Sequence, residues 1–190
     1  MDSDPVQDYI LEDYNKLRTD AAVFNAWPEV RAKLVLPFLD RLKRALQLKK
    51  ELEEWEFELT GSPFIDSEAE FAFWMSGWKR DYYVCLVFDH YGEEVVFGLR
   101  RDADQKRIQD RLHSDELLAA VKERYQSARR RTWWEARVVM PPPSTSDWRK
   151  PEVLWRMRDE NGEFLNEVVE QLLEVAIISA PFVDQLVGKK

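Results

Sequence analysis

One short run of the sequence combines the two side-chain types that bind anions and planar rings. It reads Arg129-Arg130-Arg131-Thr132-Trp133-Trp134. Adjacent guanidinium groups suit phosphate or carboxylate, and indole rings suit base stacking. A structural explanation stays open beside the functional one. Cations at the end of a helix offset its dipole, and the following tryptophans would then be core residues.

Similar basic and aromatic residues recur on both sides of this run. Residues 100–158 carry 15 Lys and Arg against nine Asp and Glu, a balance of +6 in a chain whose net charge is −8. An acidic protein with one basic segment is not suited to indiscriminate nucleic-acid binding, but it can carry a local anion-binding face. The candidate binding residues are Arg100, Arg101, Arg129, Arg130, Arg131, Trp133, Trp134, Trp148, Arg149, Lys150, Trp155, Arg156 and Arg158.

Residues that could perform catalysis or hold a metal are few. Asp66, Glu68 and Glu70 lie close together, but a solvated acidic loop explains such a cluster. His90 and His113 are the two histidines, and they are not at metal-ligand spacing. The sequence also has no phosphate-binding glycine loop and no nucleophile elbow. We therefore predict no catalytic residues, no metal site and no cofactor.

The composition is that of an ordinary globular protein. The chain has 190 residues, of which 45% are hydrophobic, and one cysteine, Cys85, in an apolar run. A lone cysteine favours a reducing compartment and a small buried side chain. We see no signal peptide, and the apolar stretch 175–183 is too short to cross a bilayer. We therefore expect a cytoplasmic protein that does not bind membranes, and a homo-oligomer would be compatible with this composition.

The elements that must position the candidate residues begin with an antiparallel sheet. Aromatic and β-branched runs predict strands over residues 55–60, 70–76, 82–89 and 94–99. Turn signals at Ser76-Gly77 and at His90-Tyr91-Gly92 leave room for a meander but not for parallel crossovers. The run 82–88 is apolar on both faces, so we expect both of its faces to be covered.

Helices flank this sheet in the predicted α+β fold. In the N-terminal part, 1–52, helical periodicity begins near residue 5, with a turn near Asn25 and a second helix that starts at Pro28. Pro37 should kink or split that helix. Beyond the sheet region, 53–100, we predict a helix from the cap Ser114 to about Arg130 and a short strand over 132–140. A Pro- and Trp-rich loop over 141–158 and a last helix after Gly162 complete residues 101–190 of one domain.

The order of these elements resembles the C-terminal, non-catalytic region of bacterial PD-(D/E)XK nuclease-like proteins, many of them linked to defence against phage. The resemblance is carried by three strands: one that leads to Trp78-Lys79, one that ends at Asp89, and Val96-Phe97-Gly98-Leu99-Arg100. The family's catalytic core needs an acidic-x-Lys pair on a strand, and the chain lacks one. The resemblance therefore implies an accessory region without an active site.

Three functions from different classes remain open at this point. The first is a non-catalytic recognition or regulatory module that binds a protein partner, or nucleic acid, through segment 100–158. The second is a small acidic inhibitor or immunity-type protein that binds a basic nucleic-acid enzyme through residues such as Glu54, Glu56 and Glu58. The third is a metal-dependent nuclease that uses Asp66, Glu68 or Glu70.

Overall fold

The structure, a computed structural model, describes residues 14–78, 80–101, 115–141, 146–159 and 162–188, with side chains from residue 27 onward. Three features predicted from the sequence lie outside these ranges. They are the start of the first helix near residue 5, the helix cap Ser114 and the centre of the proline-rich loop.

Six antiparallel strands form one sheet in the order β1-β2-β3-β4-β6-β5. The first four follow one another as the predicted meander, because 3₁₀ turns at Ser76–Trp78 and His90–Gly92 reverse the chain within a few residues. The α+β fold with an antiparallel sheet is confirmed. The strand bounds are β1 Trp55–Thr60, β2 Glu68–Met75, β3 Tyr82–Asp89, β4 Glu94–Arg101, β5 Arg129–Arg131 and β6 Trp134–Val139.

The sheet extends beyond residue 100, where the sequence predicted a longer helix. That helix, α2, spans Asp115–Arg124 and ends well before the arginine run. Arg129–Arg131 instead forms β5, which pairs with β6 and lies at one edge of the sheet. Tyr125 and Ala128, in the connection between α2 and β5, are both buried, and their burial accompanies the end of the helix at Arg124. The explanation of the arginines as a helix terminus is therefore wrong.

The N-terminal helix, α1, is continuous from Tyr14 to Gln47. The predicted boundary at Pro28 and a split at Pro37 are not found. A proline inside a helix costs about 3 kcal/mol. That cost is offset here because α1 buries a long apolar stripe against the core. The stripe consists of Ala32, Val35, Phe38, Leu39, Leu42 and Leu46.

Helix α4, Glu163–Gly188, packs with α1 on one face of the sheet. Four rings join these elements: Trp148 makes edge-on contacts with Phe38, Phe88 and Phe164, at centroid distances of 5.7, 5.5 and 5.2 Å. Phe88 lies on β3, so this aromatic junction links the sheet to both long helices. The short helix α3, Pro151–Arg156, packs against α1.

Helix α4 is also long and apolar enough to cross a membrane by length and composition, with a mean hydropathy of 1.3 over its most apolar 18 residues. Only 28% of that stretch is buried. Its buried side chains, which include Val168, Leu172, Val175 and Val183, belong to the core cluster. The expectation that the protein does not bind membranes stays a prediction.

The opposite face of the sheet is also largely buried at its centre. Cys85 and Val87 on β3 point to this face, and their exposed fractions are 0% and 5%. Burial raises the pKa of the Cys85 thiol well above its ordinary value, which disfavours the reactive thiolate. The prediction that the strand 82–88 is covered on both faces is confirmed.

Candidate functional site

The three arginines of β5 have different surroundings, because side chains alternate between the two faces of a strand. Arg129 donates to the carbonyl oxygens of Gln126 and Ala128, at 2.9 and 2.8 Å. Arg130 lies 2.8 Å from Asp115 and 3.6 Å from the buried Glu135. Arg131 is exposed and has no ion pair with any side chain in the described ranges. Of the three guanidinium groups, the one on Arg131 is therefore available to a ligand.

The turn between β5 and β6 places an aromatic ring beside this cation. Trp133 lies in the two-residue turn and is 43% exposed, whereas Trp134 is 8% exposed. Arg131 is the cross-strand partner of Trp134. The two tryptophans therefore have different roles: Trp134 packs on the sheet, and Trp133 faces solvent.

Arg131 and both tryptophans line an open pocket with a volume of about 480 Å³. The adjoining ends of β3 and β4 contribute Asp89 and Glu94, and the interior of β6 contributes Arg137. Arg137 donates to Glu94 and lies 3.6 Å from Asp89. The pocket therefore combines a cluster of one guanidinium and two carboxylates, which keeps one excess negative charge, with the Arg131 guanidinium, which has no ion pair among the described residues. We call this pocket, with Trp133 at its rim, the β5–β6 site.

The sequence interpretation missed Arg137, Asp89 and Glu94. Asp89 and Glu94 are cross-strand partners at the ends of β3 and β4, and Arg137 stands opposite Gly98 on β6. The sequence did carry one signal for Arg137. Side chains alternate along the predicted strand 132–140, so Arg137 and Val139 lie on the same face of the sheet. This signal could not identify the neighbours of Arg137, because the order of the strands in the sheet was not known from the sequence.

Arg100 and Arg101 do not join the site, because carboxylates hold both. Arg100 donates to Glu70 at 2.5 Å, and its guanidinium lies 5.7 Å from the centre of the Trp134 ring. Arg101 lies 3.6 Å from Glu135 and donates to the carbonyl of Thr132 at 2.9 Å. The ion pair of Arg100 links β4 to β2, and the contacts of Arg101 link β4 to β6 and to the β5–β6 turn, so both charges are already engaged.

The remaining candidates lie elsewhere on the molecule. Trp148 is fully buried in the aromatic junction, so it cannot stack on a ligand. Arg149 donates to Asp147 and Glu93 at 3.0 and 3.1 Å, and Lys150 is exposed at the start of α3. Arg149 therefore links the segment before α3 to the turn between β3 and β4.

Helix α3 carries the second exposed tryptophan. Trp155 is 70% exposed, and the guanidinium of Arg158 lies 4.7 Å from its ring centre. Arg156 is engaged by Glu167 at 3.0 Å. The predicted segment 100–158 thus forms two separate surfaces, the β5–β6 site and the Trp155–Arg158 pair, rather than one continuous basic patch.

The acidic residues proposed as nuclease ligands do not converge. Asp66 accepts from the backbone of Ser62 at 2.6 Å, Glu68 is exposed at the start of β2, and Glu70 is bound to Arg100. Within the described residues, no three His, Cys, Asp or Glu side chains form a group that could hold a metal ion.

Glu70 has a pH-dependent role that can be measured. Burial raises its pKa, although Arg100 acts in the opposite direction. A raised pKa means that the folded state holds the proton better than the unfolded state, so this group's contribution to stability is lost as the pH rises through the folded pKa. Glu70→Gln should therefore show a smaller loss of stability than the wild type between acidic and neutral pH.

Urea unfolding followed by tryptophan fluorescence over a pH series measures this difference. Glu56→Gln is the matched control, because Glu56 is exposed on the neighbouring strand. Parallel stability curves for wild type and Glu70→Gln would contradict the prediction.

Comparison of the chain with models of protein families, with curated proteins and with solved structures finds no match, so the candidate site is defined by its geometry alone.

Proposed function

We propose that the protein is a non-catalytic recognition module whose β5–β6 site binds an acidic segment of a protein partner. The observation that carries the proposal is the proximity of two exposed side chains at an open pocket: Arg131, which has no ion pair within the described ranges, and Trp133 at the rim. A guanidinium group binds a carboxylate with charge-assisted hydrogen bonds, and a tryptophan supplies apolar contact area at low entropic cost.

The state of the other arginines favours a protein partner over nucleic acid. Nucleic-acid affinity comes mainly from cations that neutralise phosphates and release counterions. Here Arg100, Arg130, Arg137, Arg149 and Arg156 all lie against carboxylates. A phosphate backbone would have to compete with these carboxylates, whereas a single carboxylate needs only Arg131. The resemblance to the nuclease-like family and a role in phage defence stay predictions.

A binding experiment with Arg131→Ala tests the proposal. Fluorescein-labelled peptides with alternating Glu and Tyr should bind the wild type. Arg131→Ala should weaken binding at least about tenfold, because a hydrogen bond to a charged group contributes about 1.5–3 kcal/mol. Trp133→Ala should weaken it as well. Fluorescence anisotropy gives the dissociation constants.

Arg129→Ala is the matched control, because that side chain is already hydrogen-bonded to the main chain. Single- and double-stranded oligonucleotides across a salt series form the second arm. If oligonucleotides bind with an affinity that falls steeply with salt and acidic peptides do not bind, the site is a nucleic-acid-binding site and the proposal is wrong. Equal peptide binding by wild type and Arg131→Ala would overturn the site.

A further inference from the structure

The opposite edge of the sheet has features that the β5–β6 site does not use. β1 is the first strand in the sheet order, and among the strands that the structure describes it pairs with β2 alone. Its residues alternate between apolar side chains on the helix-bearing face, Trp55, Phe57 and Leu59, and glutamates on the other face. An edge strand presents unpaired backbone groups that can pair with another chain.

One hydrogen bond shows which backbone groups of β1 point outward. The amide of Ser76 donates to the carbonyl oxygen of Glu54 at 3.3 Å, so Glu54 belongs to the residues that bond to β2. The bonding direction alternates along an antiparallel strand. The amides and carbonyls of Trp55, Phe57 and Leu59 therefore point away from β2, and none of them bonds to a backbone group in the described ranges.

The side chains of this edge are suited to an alternating partner. Leu59 is 40% exposed, and Phe57 is half-buried against the ring of Phe73. On the other face Glu54 and Glu56 are exposed, and Glu58 lies 2.8 Å from Arg80. A strand added to β1 would form its hydrogen-bonded pairs at 55, 57 and 59. Glu56 and Glu58 would then occupy the non-bonded pairs, where opposing side chains lie closest.

A second copy of the chain does not fit this edge. Antiparallel pairing of β1 with itself must place hydrogen-bonded residues opposite hydrogen-bonded residues, so the glutamates of one copy would face the glutamates of the other. Like charges directly opposite each other are destabilising. Lysine or arginine opposite the glutamates would instead be attracted to them. The charge of β1 therefore favours a basic partner strand over a second copy of β1.

We propose that β1 binds an extended segment of a basic protein, with Lys or Arg and apolar residues in alternation, as a seventh antiparallel strand. Main-chain hydrogen bonds would supply affinity, and the glutamates with Phe57 and Leu59 would supply specificity. The surface is separate from the β5–β6 site, and it would also serve the alternative function of an acidic inhibitor of a basic enzyme.

A labelled peptide of alternating Lys and Val tests the proposal, with a second peptide of the same composition in Lys and Val blocks. The alternating peptide should bind at least tenfold more tightly than the block peptide, and more weakly as salt rises. Glu56→Lys should weaken its binding at least tenfold and improve binding of an alternating Glu-Val peptide. Equal binding of the alternating and block peptides would overturn the proposal.

Two further measurements separate strand addition from charge attraction alone. Leu59→Pro removes an outward amide but no bond to β2, so it should abolish binding while the sheet is retained. Should that variant fail to fold, amide exchange of the wild type decides: the amides of Phe57 and Leu59 should become protected when the peptide binds. Unchanged exchange at both amides, or a dimer of the free protein that Glu56→Lys alters, would overturn the proposal.

Discussion

Gly98→Ala should be the most damaging single-methyl substitution among the glycines described. A Cβ atom at residue 98 would lie 1.9 Å from the carbonyl oxygen of Ala136 and 3.0 Å from its carbonyl carbon. Gly98 also has φ = +147°, which residues with a side chain rarely adopt. We expect the free energy of unfolding to fall by more than about 4 kcal/mol, a loss reserved for severe structural conflicts.

The cost is large because neither side of the contact can move freely. Gly98 lies in β4 between β3 and β6, and Ala136 is held in the ladder of β6. Relief of the overlap would separate two paired strands. Urea unfolding and near-ultraviolet circular dichroism measure the effect.

Gly77→Ala is the matched control for this substitution. A Cβ atom at residue 77 meets nothing within 4 Å, so its effect should stay within about 0.5 kcal/mol. Equal stability of the two variants would show that β4 and β6 do not approach each other at Gly98 as the structure has it.

Trp148→Ala should cost about 3–5 kcal/mol, the range found when a large aromatic side chain is removed from a core. Its ring is completely buried and makes edge-on contacts with Phe38, Phe88 and Phe164. Removal therefore leaves a cavity at the point where β3, α1 and α4 meet. Thermal and urea unfolding give the loss.

Trp155→Ala is the control for Trp148→Ala, because it removes a tryptophan from the surface instead of the core. Trp155 is 70% exposed, so its removal should change stability by about 0.5 kcal/mol or less. A small effect at Trp148 together with a large effect at Trp155 would contradict the assignment of one ring to the core and the other to the surface.

The strands of the meander were predictable because their signals are local. Aromatic and β-branched runs between tight turns identify β1 to β4, and the register follows from turns such as His90–Gly92. The backbone of His90, Tyr91 and Gly92 has positive φ, and this geometry reverses the chain there. No distant contact was needed to recognise these elements.

The edge strand β5 and the candidate site were not predictable in the same way. Arginine is not among the residues that are enriched in strands, and Arg129–Arg131 forms a strand because it pairs with β6. Whether a tryptophan is core or surface depends on which elements pack against it, and for this reason Trp148 and Trp155 could not be distinguished by sequence. The pairing of Arg100 with Glu70 likewise joins residues 30 positions apart.

The aromatic junction has a consequence for synthesis of the chain on the ribosome. Phe88 emerges early with the meander, whereas Phe164, which contacts the same Trp148 ring, belongs to α4, the last described helix. Until α4 leaves the exit tunnel, the apolar face of a nearly complete sheet has no cover from it. Exposed apolar surface in a nascent chain attracts chaperones and promotes aggregation. We therefore expect ribosome-bound chains that stop before α4 to be chaperone clients, and release of the chaperone to follow the emergence of α4.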